Sequence, residues 1–259
     1  MDNPPRRKFF PPLIIIIVSI GIFIVYYRSY PKIRLKPPEY TALVGWREEF
    51  YSPPENGSLI PNGWRIQRKP GTKAATFSLA GSAESKTFLH LEADRASASL
   101  LCQPAGVDVE KMPILRWRWR AEVLPKGADG RMSEKDDQAI GIYVGTGSLL
   151  AKKSISYRWD TETPKGAEGN CSYGSGTIRV KWFTLRNKED ARTPQWFTEE
   201  RNVAEDFKKA WGFYPEKIYI AVSCNSQYTA TTASADLDWI ELVSLSPHAE
   251  KSPSAEKNK

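Results

Sequence analysis

The 259-residue chain is 41% hydrophobic, has a mean hydropathy of −0.48 and carries a formal net charge of +7, a length that suits one large domain or two small ones. The charge sits outside the middle: residues 1–39 hold seven Lys/Arg against two acidic residues and the tail from Pro247 three Lys against two Glu, which leaves residues 40–246 near +1. A nearly neutral domain with both signs interspersed lacks the basic surface that tracks phosphates, so no nucleic-acid partner is expected.

Residues 1–8 form a basic head with Arg6, Arg7 and Lys8, and residues 9–27 an uncharged run of nineteen dominated by Ile and Val. That is close to the ~20 residues of a bilayer-spanning helix, so a single N-terminal transmembrane anchor is predicted. A cleaved signal peptide is the competing reading. The residues after the run, Tyr26-Tyr27-Arg28-Ser29-Tyr30, are too bulky for its small-x-small processing site. Three cations precede the span and four follow soon after, so charge does not orient it. A short basic head before an apolar segment is also the entry form of exported proteins, and the domain is expected in the periplasm or outside the cell. Residues 28–39 read as a basic, proline-bearing stalk.

From residue 40 to 246 short β-type runs recur: Ala74–Leu79, Thr87–Glu92, Ala98–Cys102, Leu115–Arg120, Ala139–Val144, Ser154–Trp159, Thr177–Thr184, Lys217–Ser223 and Leu237–Val243. Clusters of Gly, Pro, Asn or Ser separate many of them, the spacing of an antiparallel sandwich or barrel. Trp46, Phe50 and Trp64 bracket a Pro/Asn/Gly-rich loop in which Asn56-Gly57-Ser58 fits an N-glycosylation acceptor, relevant only in a eukaryotic secretory host. One helix interrupts the strands: Asn202 caps, Glu205 closes a capping box, Val203, Phe207 and Trp211 fall on one stripe, and Gly212 ends it. Residues 247–259 are almost devoid of apolar side chains and are expected to be disordered.

The densest polar chemistry lies in residues 115–144. Leu115, Trp117 and Trp119 alternate with Arg116, Arg118 and Arg120, and later Ile140, Ile142 and Val144 alternate with Gly141 and Tyr143. This period of two predicts two neighbouring strands, tryptophans inward and arginines outward, with Asp136 and Asp137 at the mouth of the second. In the expected site Arg118 and Arg120 donate to hydroxyl or carboxylate groups, Asp136 and Asp137 accept from hydroxyls, and Tyr143 stacks on a sugar ring. The competing assignment pairs Asp136 and Asp137 with the arginines as a cross-strand ion lattice. Trp159 and Trp182 share strand faces with Tyr157 and Val180 and are assigned to the core.

Other chemistries find little support. No Gly-x-Ser-x-Gly, His-Glu-x-x-His, Walker or dinucleotide motif is present, and of two histidines His90 lies in a predicted strand and His248 in the tail. Paired carboxylates remain open for an enzyme acting on polysaccharide, which needs two carboxyls about 5–10 Å apart. No cofactor is expected. Calcium is a further option, with Glu49 and Asp238 as weak metal candidates on the first and last strands, although no loop has calcium-ligand spacing. Cys102 reads as a core thiol, and Cys171 and Cys224 could pair in an oxidising compartment.

The run LRWRWR, then LPKGAD, DDQAIGIYV, SYRW, the WFTEERNVAEDFKKAWG helix and the closing ADLDWIEL together resemble the bacterial domain-of-unknown-function family number three thousand and forty-seven, over about Trp46 to Leu242. The resemblance implies an exported, jelly-roll-like β-sandwich and no established activity. Family members carry an Asp-rich, Asn-containing turn after the strand matching Lys217–Ser223. Here the turn is Cys224-Asn225-Ser226-Gln227-Tyr228, and Asn225 alone is carried over as a ligand-binding candidate. The sequence thus leads to an all-β, jelly-roll-like antiparallel sandwich with one short α-helix behind a transmembrane helix. Its expected role is non-catalytic binding of a glycan or other polar envelope component. A polysaccharide-acting enzyme and a structural partner of envelope proteins are the rivals.

Overall fold

The structure, a computed structural model, describes residues 40–50, 60–81, 87–148, 151–193 and 195–247. The expected head, anchor and stalk, Asn56, and the tail beyond Pro247 lie outside the described residues. Among the described residues no helix is long and apolar enough to cross a membrane.

Two sheets face each other. The first contains β1 (Tyr40–Glu48), β3 (Thr76–Ala80), β4 (Phe88–Asp94), β6 (Ile114–Val123), β11 (Phe197–Asn202) and β13 (Thr232–Pro247), in the order β11-β6-β13-β4-β3 with β1 also pairing β13. The second contains β2 (Arg65–Arg68), β5 (Ser97–Cys102), β7 (Ile140–Ser148), β8 (Ala151–Trp159), β9 (Glu168–Tyr173), β10 (Ile178–Arg186) and β12 (Tyr219–Asn225), in the order β2-β5-β12-β7-β8-β10-β9. The architecture is the all-β sandwich that the strand spacing predicts. Its pairing departs from a purely antiparallel pattern at one place, since β10 runs parallel to β8. The edge strands β1, β2, β9 and β11 lack a clean apolar alternation over enough residues to announce themselves; β11 in particular reads in sequence as the start of the helix.

The alternation in β6 and β8 builds the core. Trp117 and Trp119 are fully buried, and across the sandwich Trp117 stacks on Tyr157 with centroids 5.2 Å apart while Trp119 meets Trp159 edge-on at 5.6 Å. Aromatic contacts of this kind contribute about 0.5–1.5 kcal/mol beyond their area burial. The same contacts correct the expected pairing of residues 115–144. β6 lies in the six-stranded sheet and β7 in the seven-stranded one. A period of two fixes which side chains point inward but not which strand is the neighbour, and the connection between them is too long to force a tight hairpin. Trp182 is also corrected: it is 4% exposed, yet it projects from the opposite face of the seven-stranded sheet and stays outside the inter-sheet core.

Helix α1 (Val203–Trp211) forms where the caps predict it. The Asn202 carboxamide oxygen accepts from the Glu205 amide at 3.0 Å, and Gly212 at φ 82° closes the last turn by donating to the Lys208 carbonyl. Val203 and Phe207 enter the core fully, whereas Trp211 stays partly exposed. All three cysteines are free thiols. Cys102 and Cys224 face the core, and Cys171 lies on the other side of the seven-stranded sheet, so the Cys171–Cys224 pairing is not made.

Candidate functional site

Along three adjacent strands of the seven-stranded sheet, bulky core residues alternate with small or polar ones. Ile140, Ile142 and Val144 point inward opposite Gly141, Tyr143 and Gly145; Ile220 and Val222 oppose Tyr219, Ala221 and Ser223; Ile155, Tyr157 and Trp159 oppose Ser154, Ser156 and Arg158. Pairing sets the small residues side by side, Ser223 beside Gly141 and Ser99, and Gly145 beside Tyr219 and Ser154. The outcome is a trough across the outer face with a volume of about 500 Å³, within the range of small-ligand sites.

The glycines seat aromatic rings. A Cβ at Gly141 would lie 2.8 Å from Tyr143 Cε2, and one at Gly145 would lie 2.2 Å from the Tyr219 ring. Glycine weakens a strand, and here it lets each tyrosine lie low over the floor. Tyr173 from β9 and Tyr228 from the β12–β13 turn line the trough as well. The Ser223 hydroxyl, on a residue 3% exposed, lines the floor with no hydrogen-bond partner among the described residues. A buried unpaired hydroxyl carries a desolvation cost that a ligand hydroxyl would relieve.

Beneath one end of the trough lies a buried ion pair. Arg158 and Asp136 are 0% and 4% exposed, and Arg158 Nη1 donates to Asp136 Oδ1 at 2.8 Å. Gln138 donates to the same oxygen at 2.7 Å, and the Tyr173 hydroxyl donates to Asp136 Oδ2 at 2.5 Å. Arg158 Nη2 also reaches Cys171 Sγ and the Tyr173 oxygen, each at 3.3 Å, and its guanidinium lies 5.4 Å from the Trp182 ring. Burial works against the Arg158 charge, and the Asp136 carboxylate beside it holds it protonated. Burial raises Tyr143, Tyr173 and Cys171 above their ordinary values, outweighing the pull of Arg158. The trough therefore presents neutral phenols, which suit hydrogen bonding and stacking.

Four of the six expected ligand residues meet at this face. Asp136, Tyr143 and Asn225 line the trough. Asn225 accepts from the Ser97 hydroxyl at 2.6 Å and donates to Gln138 at 3.3 Å. Asp137 is buried behind it, accepting from the Tyr228 and Thr229 amides at 3.2 and 2.7 Å and from the Thr229 hydroxyl at 2.8 Å, so it holds the turn that carries Tyr228. Arg118 and Arg120 do not join them. They lie on the outer face of the six-stranded sheet, with Arg118 donating to Asp238 at 2.7 Å and Arg120 to Asp236 at 2.6 Å. The ion lattice is therefore real, but its carboxylates come from β13, from Glu200 of β11 and from Glu122 of β6, and not from Asp136 and Asp137. Of the weak metal candidates, Glu49 accepts from Arg47 at 2.6 Å and Asp238 from Arg118. His90, Glu122 and Asp236 place potential ligand atoms within 4.8 Å of one another, and the hydrogen bond to Asp236 raises the His90 ring above its ordinary value.

Tyr173, Tyr219, Tyr228, Ser223 and Arg158 are site residues the expected set lacks. The signal for three of them is the repeated bulky/small alternation in Lys217–Ser223 and Ser154–Trp159, which marks a sheet face too sparsely covered to be core.

Comparison with solved structures returns proteins of low sequence identity. A family 11 carbohydrate-binding module from Clostridium thermocellum shares 10% identity over 82% of this chain and 100% of its own, at a TM-score of 0.40. Endoglucanase Cel12A from Rhodothermus marinus shares 9% over 80% and 100%, at 0.41. The enzymatically active domain of bacteriophage CBA120 tailspike protein 4 shares 10% over 71% of this chain, at 0.34, and this chain spans only 20% of it. No curated protein matches the sequence. The family profile described as protein of unknown function DUF3047 matches residues 62–241, and the chain belongs to that family.

Proposed function

We propose that this chain is a membrane-anchored, extracytoplasmic module that binds a glycan, without turning it over, in the trough on the outer face of its seven-stranded sheet. The observation that carries this reading is the seating of Tyr143 and Tyr219 on Gly141 and Gly145 beside the unpartnered Ser223 hydroxyl. Low-lying aromatic plates flanked by hydroxyl and carboxamide groups match the apolar faces and equatorial hydroxyls of a pyranose. Asp136 is the one carboxylate lining the trough among the described residues, and three donors already occupy it. A two-carboxylate hydrolase needs a second acid facing the first across open space. Asp160, buried with its acidity weakened by desolvation, does not line the trough.

A glycan array probed with the full chain tests the reading. Tyr143→Ala and Tyr219→Ala are each expected to reduce retention on the bound glycans by about tenfold or more, the effect of truncating a central aromatic anchor. Retention of no glycan, or retention that neither substitution changes, would remove the trough from consideration.

A further inference from the structure

The lining of the trough includes three cations. Arg68 and Lys69, at the end of β2, and Lys152, at the start of β8, all line it. None of the three has a carboxylate partner among the described residues; Lys69 meets only the Tyr228 hydroxyl, at 3.2 Å, and its ring, at 4.8 Å, while Lys152 lies 5.6 Å from the Tyr219 ring. Some basic groups elsewhere on the surface meet acids, as Lys73 meets Asp94, Lys181 meets Glu168 and Arg116 meets Glu200, and what sets these three cations apart is their place on the trough. Among the described residues the one carboxylate lining the trough, Asp136, is already paired with Arg158.

The register places the two lysines at opposite corners. Lys152 pairs with Gly147 and Ile178 beyond the Tyr219 end of the sheet, whereas Lys69 follows Arg68, which pairs with Ala98 toward the Asn225 end. Each corner thus combines an aromatic plate with an ammonium group, and Tyr143 and Ser223 lie between. We infer that the ligand is an acidic oligosaccharide, with a ring stacked at each end and a ring-borne carboxylate beside Lys69 and beside Lys152. This rests on the glycan-binding reading and narrows it to uronic-acid-type chains. Lys69 is exposed and Lys152 half-buried, and both are placed to attract anions without having to surrender an acidic partner among the described residues.

Affinity electrophoresis of the full chain through polygalacturonate, alginate and hyaluronate, each set against its carboxyl-reduced neutral form, tests the inference. At least one polyuronate is expected to retard the protein about tenfold more strongly than its reduced form. Lys69→Ala with Lys152→Ala abolishes that difference, and Lys126→Ala with Lys209→Ala, two exposed cations away from the trough, leaves it intact. Equal loss from both double variants would show nonspecific attraction and overturn the inference. Preference for the reduced forms would overturn it while leaving glycan binding standing. Retardation by none of the six polymers would overturn both.

Discussion

On the outer face of the six-stranded sheet, Arg118 and Arg120 each meet an aspartate of β13 and pack against the Trp196 ring at 5.2 and 4.7 Å. On the outer face of the seven-stranded sheet, among the described residues, Ser223 is unpartnered and Arg68 and Lys152 lack acids, while glycines hold space under the tyrosines. Both faces are rich in the residues that suggest binding. One spends its polar groups on itself; the other leaves them directed at a cavity. The relevant measure of a site is thus residual, unsatisfied chemistry and not polar density, and each prediction below tests one side of that contrast.

The largest expected effect falls on the buried pair beneath the trough. Asp136→Asn leaves the Arg158 guanidinium charged and enclosed without its hydrogen-bonded carboxylate, and removing one member of a buried pair costs about 3–5 kcal/mol. Glu200→Gln on the other face breaks a pair with Arg116 whose side chains are 55% and 28% exposed, worth about 0–1 kcal/mol. Urea unfolding of the two variants against the parent chain measures both. Equal losses would mean that the two faces do not differ in the way the burial of Arg158 requires.

Next comes pH. His90 Nδ1 lies 2.6 Å from Asp236 Oδ1 and Nε2 3.3 Å from Glu92; the Asp236 hydrogen bond, against the opposing effect of burial and with help from Glu92, raises the ring from 6.5 to about 9. Arg120 also donates to Asp236, and Glu122 stands beside it. Because the folded state holds the proton more tightly than the unfolded chain, this stability is complete below pH 6.5 and is lost as pH rises through 9. The linkage sets an upper limit of about 3 kcal/mol, with the exposed Glu92 part reduced by solvent screening. Thermal unfolding of the parent and of His90→Asn from pH 6 to 10 should show the two curves converging at the alkaline end. A constant gap would mean that the ring is not charged in the fold.

How much of this could be read in the chain depends on the range of the interaction concerned. The inward tryptophans of β6, the caps of α1 and the outward position of Tyr143 follow from local alternation and capping, and the structure places each as expected. The partner of β6 does not, because alternation carries no information on the neighbouring strand. Arg158 and Asp136 are separated by 22 positions and belong to different elements, so their burial together is a tertiary fact. Tyr173 and Tyr228 reach the trough from an edge strand and a turn, where no periodic signal marks a residue as facing a cavity. Arg118 and Arg120 stand out in sequence through their alternation with tryptophan, which is the signature of a half-buried strand whether or not its outer face binds anything.

The smallest effect is the sharpest test of that last point. Arg118 is 39% exposed, donates to Asp238 and lies against Trp196, so Arg118→Ala removes one partly exposed ion pair and one cation–π contact. Each is worth about 1 kcal/mol or less at such exposure, and the melting temperature should fall by only a few degrees. Glycan retention should stay at the parental level, since the full thickness of the core separates Arg118 from Tyr143. Loss of retention with unchanged melting would move the site to the six-stranded face, because an arginine whose removal leaves the fold intact can reduce binding most directly by touching the ligand itself.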